Sequence, residues 1–269
     1  MPHPFFIPPP PRVIAHRGCG GEAPENTLHA FQLALAQGAH ILETDVHLSQ
    51  DGSVVVFHDD TLERTTNGRG RVDACTLAEL RSLDAGYRFS CDGGATYLFR
   101  GSGHHIATLE EVFSQFPAAR INIELKSLHR DLIEGVVEWV ARFRRSELTL
   151  LTAADDAVMA TLRAHVAKRG VDVALGASTG EVAAFIASAL ANRLPPPGVM
   201  ALQVPVYFAG KPLISQRFIE HAHRHDIEVH AWTVNDVGQM GNLLEQGVDG
   251  IVTDFPERLA QVIARHRPV

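Results

Sequence analysis

The chain predicts an α/β fold of the (β/α)8 TIM-barrel type, and three observations lead there. Short apolar runs alternate with amphipathic helical stretches, a rhythm that demands a mostly parallel sheet. Eight such runs fit into 269 residues, near the roughly 250 that one closed barrel uses. No Gly-x-Gly-x-x-Gly follows the first run, so the alternative, an open doubly wound sheet, lacks its dinucleotide-binding signature.

The first run, Arg12–Ala15, ends abruptly at His16-Arg17-Gly18 and reads as a buried strand feeding a polar loop. Asn26 is expected to cap a helix from Thr27 to about Gln37, stopped by Gly38. Ile41–Leu48 alternates: Leu42, Thr44, Val46 and Leu48 fall on one side, and Glu43, Asp45 and His47 on the other. Such groups resist burial unless they are paired or bound to metal. Asp51-Gly52 signals a hairpin into Val54–Phe57, which ends in His58-Asp59-Asp60. Residues 50–75 form a small insertion between the second strand and its helix at Thr76–Leu83, and 86–106 is irregular.

From Thr108 the alternation is regular. Helices are expected at 108–116, 131–144, 156–169, 181–192, 215–225, 236–246 and 256–266. Strands are expected at 121–126, 148–153, 172–177, 200–204, 228–234 and 250–253. Residues 12–269 therefore read as one domain, preceded by a flexible Pro-rich arm over 1–11.

The net charge of −7 gives no general electrostatic reason to seek nucleic acid or an anionic membrane. No run of about 18 apolar residues occurs, so no stable membrane insertion is expected. Cys19, Cys75 and Cys91 offer neither a disulfide framework nor zinc spacing, and with no signal peptide at the N-terminus the expected location is cytoplasmic.

Barrel active sites form at the carboxyl ends of the strands. That rule selects His16 and Arg17 after the first strand, Glu43 and Asp45 on the second, Glu124 and Lys126 on the third, and Trp232 on the seventh; the insertion adds His58. Three carboxylates in one pocket repel one another, which a hard cation such as Mg²⁺ or Ca²⁺ resolves; zinc would call for thiolates or paired histidines. Arg17 and Lys126 suit an anionic phosphate. Two histidines can divide acid and base roles near neutral pH. Each motif alone has an ordinary reading: a structural turn, a salt-bridged pair, an i, i+2 ion pair. Their joint placement at one barrel mouth points to metal-assisted phosphoryl transfer.

The sequence also resembles the glycerophosphodiester phosphodiesterases, a metal-dependent barrel family related to phosphatidylinositol-specific phospholipase C. The matching stretches are His16–Gly18, Pro24–Thr27, Gly38-Ala39 with Glu43–Asp45, Asp51-Gly52 with Val55–Asp59, Leu62–Gly68, Thr108–Glu111, Ile123–Lys126, Trp232–Asn235 and Gly247–Asp254. The resemblance implies that Glu43, Asp45 and Glu124 hold a divalent cation and that His16 and His58 are the acid/base pair. It further implies Arg17 and Lys126 on the phosphate and Trp232 in the substrate pocket. The implied reaction is hydrolysis of a small-molecule glycerophosphodiester to glycerol 3-phosphate and an alcohol. Departures are His40, where the family usually carries an acid, and Cys19, which brings an oxidisable thiol after the His-Arg-Gly loop. Head group, choice of cation and oligomeric state stay open.

Two rivals compete. A lysophospholipase D would act on lysophospholipids, and the aromatic loop 86–106 is its support. A catalytically dead phosphodiester-binding barrel should have lost a histidine or an acid, and here each is present. For loop 86–106, with Tyr87, Phe89, Tyr97 and Phe99, a lid over the mouth and a segment pinned to the barrel wall are the two readings. His221 and His225 have metal-compatible spacing but read as a solvated helix end; His104-His105 read as solvent-facing, and Trp139 as core.

Overall fold

The structure, a computed structural model, describes residues 3–266; the first two residues of the expected arm and the last three of the chain lie outside the described residues. The first half of the chain runs β1 (Arg12–Ala15), α1 (Leu28–Ala36), β2 (Ile41–Leu48), β3 (Val54–Val56), α2 (Leu77–Arg81), α3 (Leu109–Gln115), β4 (Arg120–Leu125), α4 (Arg130–Arg142), β5 (Thr149–Thr152) and α5 (Asp156–Arg169). The second half runs β6 (Ala174–Leu175), α6 (Thr179–Ala191), β7 (Ala201–Pro205), β8 (Tyr207–Phe208), β9 (Lys211–Pro212), α7 (Gln216–His223), β10 (Glu228–Trp232), α8 (Val237–Gln246), β11 (Gly250–Thr253) and α9 (Pro256–His266).

Eight parallel strands lie in the order β6-β5-β4-β2-β1-β11-β10-β7. The two end strands are joined where the Met200 amide donates to the Leu175 carbonyl at 3.0 Å. The result is a nearly closed (β/α)8 barrel, as expected. β6 is shorter than the apolar run 172–177 because β5 alone gives it a ladder, over Ala174 and Leu175.

Strand alternation sorts the side chains. Leu42, Val46 and Leu48 of β2, with Ile121, Ile123 and Leu125 of β4, pack outward against the helices in one large core. The residues between them face the barrel axis. Ile14, Ile41, Leu150, Ala174, Ala201 and Val252 fill the lower interior. Above that apolar floor the inward positions become polar.

The floor is completed from outside the barrel, which corrects the expectation of a flexible arm. Pro4–Phe6 forms a 3-10 turn held by the His3 side chain. Phe5 and Phe6 are buried against the lower interior residues. Arg120 Nε donates to the Phe5 carbonyl at 2.9 Å, and the Arg12 guanidinium donates to that of Phe6. Two aromatic side chains supply enough buried apolar area, about 1.5–3 kcal/mol each, to anchor a segment whose prolines already limit its freedom.

Asp51-Gly52 makes the expected hairpin, pairing β3 antiparallel to β2. The excursion from the barrel extends past residue 75, since Val55, Phe57, Leu62, Val72, Leu80, Ala85 and Ile106 share a small core of their own. α2 belongs to that excursion, and α3 is the helix that leads back to β4. The α1 cap is Thr27, whose side chain accepts from the Ala30 amide, and not Asn26.

Candidate active site

Register builds the acidic centre. Asp45 and Glu124 are Cα partners across the β2–β4 ladder, and Glu43 lies one inward step below Asp45. Each of the three offers a carboxylate oxygen within 4.8 Å of the others. Oxygens bound to one ion at about 2.0–2.6 Å must lie within roughly 5 Å of each other, so this all-oxygen set fits a hard divalent cation. Burial, with the Asp45 charge adding to it, pushes the Glu43 carboxyl up to about 7. Lys126 Nζ bridges Asp45 Oδ1 at 2.9 Å and Glu124 Oε2 at 3.0 Å. Burial opposes the Asp45 charge, but Lys126 and Arg17 keep its carboxyl below the usual range.

The His-Arg-Gly turn closes over this centre. Arg17 sits in left-handed backbone at φ 52° and Gly18 at φ 87°. A Cβ on Gly18 would lie 2.8 Å from the backbone of Ala30 in α1, so the turn needs glycine there. The turn aims the Arg17 amide at Glu43 Oε2 (2.9 Å) and its Nη1 at Glu25 Oε1 (2.9 Å). Arg17 Nε lies 3.2 Å from Asp45 Oδ2, close enough for charge pairing though out of line for a hydrogen bond.

Both histidines carry a carboxylate on Nδ1. His16 Nδ1 lies 2.7 Å from Asp254 Oδ1, and His58 Nδ1 lies 2.5 Å from Asp59 Oδ1. Burial alone would lower the His16 pKa; the Asp254 hydrogen bond and the neighbouring Glu43 outweigh it, and the pKa is raised. Asn235 Nδ2 donates to Asp254 Oδ2 at 2.6 Å, fixing that carboxylate from behind. His47 Nε2 contacts the backbone carbonyl of His58 at 3.1 Å. A carboxylate on Nδ1 favours the tautomer that keeps the proton there, so Nε2 is the unprotonated nitrogen of each neutral ring.

One cavity of about 550 Å³ at the carboxyl ends of the strands receives all eight residues singled out in the sequence: His16, Arg17, Glu43, Asp45, His58, Glu124, Lys126 and Trp232. Charged groups occupy the β1–β2–β4 side. Opposite them lies an apolar wall of Val182, Ala183 and Ile186 from α6, Val204 from β7, and Phe208 and Leu213 from the β8–β9 hairpin and its exit.

Sequence reasoning missed the supporting residues. Asn26, read as a helix cap, is buried with Nδ2 3.1 Å from Asp45 Oδ2, and its Oδ1 accepts from Thr44 Oγ1 at 2.7 Å. Asp254 and Asn235 stood in motifs already noted, yet nothing local tied them to His16. No residue of 86–106 is among the cavity lining. Phe89 packs edge-on to Phe99, which with His104 lies against His29 of α1. Arg100 stacks over Tyr87 and Tyr97. Phe99 and His104 pin the loop to α1, its stretch 91–98 is exposed, and His104 is half-buried. Cys19 is buried against Glu22 and Gln37, and burial pushes its thiol up to about 12, so the expected oxidation sensitivity is corrected. The ring nitrogens of His221 contact Ser188 and Arg224, which leaves no metal pair with His225.

Among the described residues, no helix is long and apolar enough to cross a membrane. The sequence model of the Glycerophosphoryl diester phosphodiesterase family matches residues 16–258. A "Glycerophosphodiester phosphodiesterase" of Caldanaerobacter subterraneus is 33% identical over 264 residues, covering 94% of this chain and 98% of the relative. A "Lysophospholipase D GDPD1" of Rattus norvegicus is 27% identical, covering 94% and 86%. The structure of an Oleispira antarctica phosphodiesterase in complex with the product sn-glycerol-3-phosphate superposes with a TM-score of 0.77 at 29% identity, covering 94% of this chain and 97% of that one. Fold, cavity and sequence agree: the chain belongs to the glycerophosphoryl diester phosphodiesterase family.

Proposed function

We propose that this protein hydrolyses a glycerophosphodiester to sn-glycerol 3-phosphate and an alcohol. The observation that carries the reading is the placement, in one cavity, of two carboxylate-backed histidines beside an acidic triad with cation spacing. Glu43, Asp45 and Glu124 would hold Mg²⁺ or Ca²⁺. When bound, such a cation supplies Lewis-acid polarisation of the phosphate and lowers the pKa of an attacking hydroxyl. Arg17 and Lys126 set positive charge beside the phosphate oxygens. One histidine accepts the proton of the attacking oxygen, and the other returns a proton to the leaving oxygen as the P–O bond breaks. Trp232 offers an aromatic face to the glycerol side. Retention of both histidines and all three acids sets aside a dead binding barrel. Three free cysteines fit the reducing cytoplasm.

The apolar wall of the cavity favours a second reading, in which a lysophospholipid places its chain against Val182, Ile186 and Phe208. Support for that reading moves from loop 86–106 to α6 and the β8–β9 hairpin. Product analysis with a panel of glycerophosphodiesters and lysophospholipids, with and without added Mg²⁺ or Ca²⁺, decides between them. Release of sn-glycerol 3-phosphate supports the first, release of lysophosphatidic acid the second, and turnover of neither class overturns both.

A further inference from the structure

Arg64 follows β3 in the excursion, its side chain is 47% exposed, and it is not among the cavity-lining residues. Its guanidinium nonetheless grips two carboxylates, Glu25 behind Arg17 and Asp59 behind His58. Nη1 and Nη2 donate to Glu25 Oε2 and Oε1, each at 2.7 Å. Nε and Nη2 donate to Asp59 Oδ2 and Oδ1, at 2.6 and 2.9 Å. Glu25 Oε1 is also the oxygen that accepts from Arg17 Nη1, and Asp59 Oδ1 is the one that meets His58 Nδ1. A single nitrogen, Arg64 Nη2, thus touches the two oxygens that reach Arg17 and His58.

Half-exposed ion pairs contribute little to stability, so stability is a weak reason for two bidentate forks on one surface arginine. What a planar fork does well is fix the orientation of a carboxylate in two dimensions. Lysine, a point charge, would hold either acid but not orient both. Burial would raise the Asp59 and Glu25 carboxyls; hydrogen bonds from Arg64 outweigh it, helped by His58 and Arg17 respectively, and Asp59 is held at about 2. With Asp59 ionised, the short contact puts the proton on His58 Nδ1.

We propose that Arg64 is a positioning residue that couples the placement of His58 to that of Arg17, so that the proton-transfer and phosphate-binding sides of the site are set by one side chain outside it. The proposal rests on the roles given to His58 and Arg17 above. The test compares wild type with Arg64→Ala and Arg64→Lys. It measures kcat and KM on sn-glycero-3-phosphocholine, calorimetric affinity for sn-glycerol 3-phosphate, histidine-ring NMR signals and melting temperature. We expect Arg64→Ala to lower kcat/KM by about 10- to 100-fold, the usual loss when an outer support of a site is removed. Both kcat and affinity should fall, the His58 ring signals should move, and the melting temperature should stay close to that of wild type. Arg64→Lys should recover only part of the loss. Arg64→Ala combined with Asp59→Asn should lose less in kcat than the product of the two single losses, because both act on His58 while Arg64 also acts on Arg17. Near-normal kcat and affinity in Arg64→Ala, or unmoved His58 signals, would overturn the coupling. A wild type that hydrolyses no phosphodiester would sink the functional reading instead, and the ring signals and calorimetry would still decide the coupling.

Discussion

Asp45 and Glu124 face each other across the β2–β4 ladder as Cα partners, with Lys126 Nζ 2.9 and 3.0 Å from their carboxylates. A parallel register therefore juxtaposes two acids about one strand spacing apart, roughly 4.8 Å, with no loop involved. Acids on rigid strands hold a preset geometry, and that geometry fits a cation better than it fits mutual repulsion.

Removing one of the three proposed cation ligands should act on cation binding first. Glu43→Gln, Asp45→Asn or Glu124→Gln is expected to weaken Mg²⁺ or Ca²⁺ affinity in calorimetry, because each replaces a charged oxygen with a neutral one. Exhaustive chelation should abolish turnover and readdition should restore it. Full activity in the chelated protein would remove the cation from the reaction.

His16→Ala and His58→Ala should each lower kcat by about 10²–10⁴, the usual contribution of a positioned acid or base. The double variant should lose less than the product of the two, since the pair works as a unit. Steady-state kinetics at saturating substrate reads this directly; an unchanged kcat in either single variant excludes that histidine.

The Asp254 contact predicts a pH shift with a definite sign. Asp254 favours protonated His16 and raises its pKa against the opposing effect of burial. Asp254→Asn removes that anion, so the limb of the kcat/KM profile that belongs to His16 should move to lower pH, whether the ring serves as acid or base. A profile whose limbs do not move would separate Asp254 from the titrating group.

The N-terminal plug predicts a stability change remote from the chemistry. Phe5 is fully buried against the barrel floor. Phe5→Ala should lower the unfolding free energy by about 3–5 kcal/mol, the usual loss of a buried phenylalanine. Urea unfolding monitored by circular dichroism checks it. An unchanged midpoint would mean that the plug contributes nothing to the fold.

The barrel and the primary site were legible because both are written in local periodicity. The two-residue alternation in Ile41–Leu48 already put Glu43 and Asp45 on one face, and the strand-end rule supplied His16, Glu124, Lys126 and Trp232. What was not legible depended on partners distant in sequence. Asp254 meets His16 across 238 positions and Arg64 meets Glu25 across 39, and no spacing rule links such pairs. Asn26 was misread for a different reason. Thr27 beside it is an equally good cap, and the left-handed backbone at φ 57° turns the Asn26 side chain toward Asp45 instead. The Pro-rich arm misled because proline content is a signal about backbone freedom, whereas Phe5 and Phe6 settle where the segment sits.

The incomplete closure between β6 and β7 gives the barrel a densely paired arc and a sparsely paired one. Six consecutive residue pairs tie β2 to β4, beneath the charged groups, whereas the seam at Leu175 and Met200 lies beneath α6 and the hairpin that build the apolar wall. Apart from Val204, the wall is built from the connections that follow β6 and β7, at the carboxyl ends of the strands, whereas the acidic triad stands on β2 and β4. The apolar lining can therefore be varied in those two connections without touching the strands that carry the triad.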